Sequence, residues 1–136
     1  MARILALDYG VKRTGIAVTD PLQLIASGLT TVETTELIPF LKKYLEEEQV
    51  EKIVIGDPKQ VNGDPSQSKP YIDQLIIRLN QIFKYLAIEL IDERFTSKIA
   101  FQTMIDSGIS KKKRRNKSTV DQIAATIILQ DYLKQQ

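Results

Sequence analysis

The stretch ILALDYGVKRTGIAVTD, residues 4–20, decides the fold. Its first run alternates. Ile4, Ala6 and Asp8 share one side of an extended chain, Leu5 and Leu7 the other. A turn over residues 9–13 follows, with Gly10 as its flexible point, and then a second apolar run over residues 15–19. The reading is therefore two adjacent antiparallel strands, 3–8 and 15–19, with a carboxylate where the first strand should still be core. A turn-capping aspartate is the ordinary structural explanation. A metal ligand is the functional one.

Working outward, residues 29–33 read as a third strand, joined by a short connection and so antiparallel to the second. Leu37, Phe40, Leu41, Tyr44 and Leu45 fall at helical spacing, with Pro39 tolerated in the first turn. KIVIG, ending at Gly56, reads as a short strand buried on both faces. The segment over residues 57–70 is rich in turn residues, and such a loop at a buried strand's end often carries function. A helix over about 71–86 presents Ile72, Leu75, Ile76, Leu79, Ile82 and Phe83 as one stripe. AIELIDER reads as a strand ending in acids, and TSKIAFQTMIDSG as a short helix closed by Gly108. A last helix begins near Ser118 and runs to about Lys134. The expected architecture is an α/β mixed five-stranded sheet: three antiparallel strands, then two crossover strands, with helices on it. Its 136 residues suit one domain with a real core.

The composition narrows the chemistry. With no cysteine and no histidine, thiolate and imidazole chemistry are excluded, and any metal must be held by oxygen. That selects hard ions such as Mg2+ or Mn2+. No signal-peptide pattern or bilayer-length apolar run is read, so a cytoplasmic protein is the expectation.

Charge is unevenly spread. KKKRRNK, residues 111–117, holds six cations in seven residues. The other 13 of the chain's 19 basic residues face 17 acidic ones, leaving a body of net −4. Such a run is a solvated loop or a contact for a phosphate backbone.

Three sets of acids interrupt apolar patterning: Asp8, the pair Asp92–Glu93, and Asp121. Asp121 heads a helical stripe of Ala124, Ala125 and Ile128. Each has a bland role in isolation, as a turn acceptor, an ion-pair partner or a helix N-terminal acid. Converging on one sheet edge, they would need a shared cation, since unpaired buried carboxylates are costly. Two divalent ions about 3.5–4 Å apart would suit phosphodiester hydrolysis.

Four motifs, LALDYGVKRTGIAVTD, IVIGDPKQVNGD, DERFTS and KSTVDQIAATIILQDYL, together resemble the YqgF family, also called RuvX, over about residues 4–133. The resemblance implies a ribonuclease H-like fold and a cytosolic nuclease linked to 5′-end maturation of the 16S rRNA precursor. It also implies kinship with Holliday-junction resolvases. By this resemblance Asp8, Glu93 and Asp121 are the catalytic, metal-binding acids, with Asp92 left open as an alternative to Glu93. Lys12, Arg13, Arg94 and Lys117 match basic positions around the cleft. Lys112, Lys113, Arg114 and Arg115 join them as expected nucleic-acid contacts from the charge run. Gly10 is expected to let nucleic acid approach the backbone. One motif departs from the family pattern: where GLP is frequent, this chain has Gly56-Asp57-Pro58. The expected partner is nucleic acid, either precursor rRNA or branched DNA, and the chain a monomer or weak homodimer. Two rivals stand beside this reading. Actin-like ATPases and sugar kinases open similarly but need two copies of the fold. A non-catalytic RNA-binding assembly factor would have no use for three carboxylates facing RNA.

Overall fold

The structure is a computed structural model that describes residues 2–58, 69–93 and 117–135. Five strands form one sheet: β1 (Arg3–Tyr9), β2 (Arg13–Thr19), β3 (Ala26–Glu33), β4 (Val50–Pro58) and β5 (Ala87–Glu93). Their order is β3-β2-β1-β4-β5. The first three pair antiparallel, and β4 and β5 add in parallel beside β1. This is the expected mixed sheet. Three α-helices are described: α1 (Leu37–Glu47), α2 (Lys69–Ile82) and α3 (Lys117–Lys134). The expected helix over TSKIAFQTMIDSG, Arg94 and residues 111–116 of the basic run lie outside the described residues, as does most of the 57–70 loop.

Side-chain alternation sorts the sheet into two cores. Leu5, Leu7, Ile16, Val18, Ile53 and Ile55 meet α1 and α2 on one face. Ile4, Ala6, Ala17, Val54 and Ile91 meet α3 on the other. Ile53, Val54 and Ile55 are fully buried, as a strand covered on both faces requires. Small residues dominate where α3 lies on the sheet. Ala6, Ala17 and Ala125 are fully buried there, and a Cβ at Gly28 of β3 would stand 3.4 Å from Gln122 Cβ. The helix therefore packs closely across β1, β2 and β3.

Element ends differ from the local reading. β3 starts at Ala26, because Thr19 pairs with Ala26, Val18 with Ser27 and Ala17 with Gly28. These weak strand formers are extended by the ladder, not by their own propensity. β2 likewise starts at Arg13, paired with Glu33. The helix expected over 71–86 starts at Lys69 and ends at Ile82; Phe83 still packs into the α1–α2 core. No helix among the described residues is long and apolar enough to cross a membrane.

Candidate active site at the end of the first strand

β1, β4 and β5 are parallel, so their carboxyl ends share one edge of the sheet. Ile4 and Ala6 face α3, and Asp8 continues that parity at the end of β1. It is half-buried. In the antiparallel ladder its partner is Gly15 of β2. A Cβ on Gly15 would lie 2.1 Å from the main-chain oxygen of Asp121 and 2.4 Å from its carbonyl carbon. The missing side chain is what admits the first turn of α3 to this spot. Gly15 thus brings together two acids that are far apart in the chain.

The hairpin between β1 and β2 is tied down on its far side. The Gly10 amide donates to the Arg13 carbonyl at 3.0 Å, and the Thr34 amide donates to the Lys12 carbonyl at 2.9 Å. The Thr34 hydroxyl donates to the Gly10 carbonyl at 2.6 Å and lies 3.0 Å from the hydroxyl of fully buried Thr14. A Cβ at Gly10 would stand 2.5 Å from the Arg13 oxygen, so this glycine closes the turn itself. The clearance expected to serve nucleic acid is used by the chain's own backbone.

Asp8, Gly10, Val11, Lys12, Arg13 and Asp121 line a cleft of about 370 Å³. Two of these residues are acids and two are cations. Burial pushes the Asp8 carboxyl up to about 6, and the negative charge of Asp121 adds to the rise. Asp121 has a compensating partner: Arg13 Nε donates to its Oδ2 at 2.8 Å. Arg13, expected as a phosphate contact, is engaged with an acid of the site. Lys12 is exposed at the rim. A larger cleft, of about 480 Å³, lies between Leu24–Ala26 and the end of α3, but no carboxylate lines it.

The other acids separate by strand parity. Asp57 pairs in register with Asp92, and both follow the alternation of Ile53, Ile55 and Ile88, the α1–α2 side. Asp57 is buried, with Oδ2 3.9 Å from Lys69 Nζ and Oδ1 without a hydrogen-bond partner. That lysine also reaches Asp73 at 3.0 Å, so Asp57 belongs to the start of α2, across the sheet from Asp8. Position 93 closes β5, two beyond Ile91 and in register with Pro58. Among the described residues no three metal-capable side chains cluster; Asp8 and Asp121 are the pair brought together.

Two contributors to the site lie outside the acids and cations that the sequence marks. Thr34 carries no local signal for its role. Gly15 does: an isolated glycine inside a strand pattern marks a close backbone approach.

Comparison with known proteins agrees with this architecture. A family model described as RuvX, Holliday junction resolvase, matches residues 2–135. A Flavobacterium psychrophilum protein named "Putative pre-16S rRNA nuclease" is 60% identical over 133 residues, covering 98% of this chain and 97% of its own. A Phocaeicola vulgatus protein of the same name is 53% identical, covering 98% and 96%. Among solved structures, the Fowlpox virus resolvase in complex with its substrate Holliday junction DNA superposes with a TM-score of 0.56. It covers 98% of this chain and 97% of its own at 14% identity, a likeness of fold. The sheet order, the acid at the end of β1 and a match over nearly every residue lead to one conclusion: the chain belongs to the RuvX Holliday junction resolvase family.

Proposed function

We propose that this protein is a divalent-metal-dependent nuclease that processes the 5′ end of the 16S rRNA precursor in the cytoplasm, working as a single ribonuclease H-like domain. The observation that carries the chemistry is the meeting of Asp8 and Asp121 in one cleft, made possible by Gly15. The names of relatives at 60% and 53% identity support the RNA substrate.

The donor set fits a hard divalent cation. Both acids offer only oxygen, and the raised pKa of Asp8, caused first by burial and then by the negative charge of Asp121, is one that a bound cation would bring down. Asp8, Asp121 and Glu93 would hold Mg2+ or Mn2+. When bound, such ions supply a water activated to hydroxide and charge neutralisation at the scissile phosphate. The chain's own residues do the rest. β1 and α3 hold the acids on regular elements, which fixes them more tightly than a loop would. Arg13 neutralises the Asp121 carboxylate in the metal-free protein, and Lys12 offers its ammonium to phosphate at the open side of the cleft.

The deciding assay sets precursor rRNA, single-stranded RNA and a four-way DNA junction side by side with Mg2+ or Mn2+. Preferential cleavage of the rRNA precursor is expected. Preference for the junction would favour the second reading, a resolvase-like DNA endonuclease, which the description of the family model supports. No cleavage of any substrate would leave only a binding role.

Parity on β5 yields a sharper expectation. Glu93→Gln and Asp121→Asn should each abolish cleavage, whereas Asp92→Asn, on the opposite parity, should keep most of it. Rates measured at one saturating metal concentration test this. An inactive Asp92 variant beside an active Glu93 variant would reverse the assignment.

The basic run leads directly into α3, whose first residue, Lys117, stands four before Asp121. Replacing Lys112, Lys113, Arg114 and Arg115 together with Ala should weaken RNA binding for all sequences alike. The slope of log affinity against log salt should flatten by roughly 0.7 for each phosphate that is no longer neutralised. Equal slopes for parent and variant in a salt titration would show that RNA enters elsewhere, past Lys12.

A further inference from the structure

The ion pair between Arg13 and Asp121 places a cation where the proposed metal must bind. Its Nε–Oδ2 distance of 2.8 Å is that of a charge-assisted hydrogen bond. The Asp121 side chain is only 18% exposed, so its charge needs a partner in the metal-free protein. Arg13 meets that need with Nε, one of the five N–H donors of its guanidinium. At 39% exposure, Arg13 is less enclosed than the acid it serves. It opens β2 at the hairpin, lines the same cleft as Asp8, and is next in sequence to exposed Lys12.

We infer that Arg13 is an exchangeable counter-ion: it neutralises Asp121 in the metal-free protein, leaves it when a divalent cation binds, and then grips a phosphate of the nucleic acid. The exchange rests on the reading that Asp8 and Asp121 hold the cation. Two cations cannot both sit on a half-buried carboxylate without repelling each other, and the divalent one is the more strongly held. The released guanidinium is a planar fork suited to phosphate oxygens, already at the cleft. Metal and nucleic acid would then bind with positive coupling, because each favours the state in which Arg13 has left Asp121. That coupling is reciprocal.

The Arg13 Nε–H signal in 15N-resolved NMR reads the exchange directly, with Arg13→Lys supplying the assignment. In metal-free parent protein the signal should be protected from solvent exchange. Saturating Mg2+ should remove that protection, and a non-cleavable phosphorothioate oligoribonucleotide should restore it at a new chemical shift. Calorimetry supplies a second readout. Arg13→Gln should bind Mn2+ several-fold more tightly than the parent. It should also lose the metal-dependent part of its oligonucleotide affinity, about 0.7 in salt slope for one phosphate. An Arg13 signal undisturbed by saturating metal, or Mn2+ affinity in Arg13→Gln equal to or below the parent's, would overturn the exchange and leave Arg13 as a positioning residue for Asp121. Failure of the parent to bind Mn2+ at all would instead sink the metal reading and the exchange with it.

Discussion

Asp8→Asn is expected to lower metal-dependent cleavage by roughly 10²–10³-fold or more, the scale of removing one electrostatic contributor from an active site. The same substitution should make the metal-free protein more stable at neutral pH. The folded-state pKa of Asp8 is pushed up to about 6, above its ordinary 3.8. Between those values the folded chain holds a proton that the unfolded chain has released. Its contribution therefore falls as pH rises from about 4 to 6 and stays low above that. The difference between 3.8 and about 6 corresponds to about 3 kcal/mol of destabilisation at pH 7. Asn carries no charge and escapes it. Urea denaturation with a chelator at pH 4.5 and pH 7 should show the variant gaining on its parent at the higher pH. Unchanged cleavage by Asp8→Asn at saturating Mg2+ would refute the central assignment. An unaltered pH dependence of stability would refute the electrostatic account alone.

Gly15→Ala should be nearly as damaging, for a mechanical reason. The new methyl would lie 2.1 Å from the Asp121 main-chain oxygen, and main chain cannot rotate out of the way. Either α3 lifts from β2 or the hairpin bows. Overpacking of this kind costs about 1–3 kcal/mol, and a backbone clash belongs at the upper end. The displacement would also carry Asp121 away from Asp8, so cleavage and Mn2+ affinity should fall together. Gly28→Ala is the matched control. Its methyl would meet Gln122 Cβ and Thr126 Oγ1 at 3.4 Å, an ordinary van der Waals contact, so stability should change little. Wild-type stability and cleavage in Gly15→Ala would show that the close approach of α3 is not needed.

These two sites differ in how far local sequence reveals them. Asp8 is visible at once, as an acid on the apolar face of a strand. So are the five strands, the three described α-helices and their order, since alternation and helical spacing are properties of the neighbouring residues alone. The absence of histidine and cysteine also restricts any metal to oxygen ligands before a fold is known. The opposite parity of positions 92 and 93 is legible in the same way, given a strand that stays regular to its end.

Other features depend on partners that local pattern cannot name. Residues 26–28 are extended only because β2 supplies their hydrogen bonds. Asp57 stands out in the sequence only as an acid where GLP is frequent; its parity and Lys69 assign it to the side of the sheet away from Asp8. Gly10 reads as clearance for a ligand, but the carbonyl of Arg13 uses that space. Arg13 reads as a phosphate contact, yet its carboxylate partner is 108 residues away. By itself the sequence determined which residues face which side of each element, because that follows from the geometry of a single strand or helix. Only the tertiary structure decided which side chains meet, because that depends on register between strands and on how closely α3 can approach a strand that lacks a Cβ at position 15.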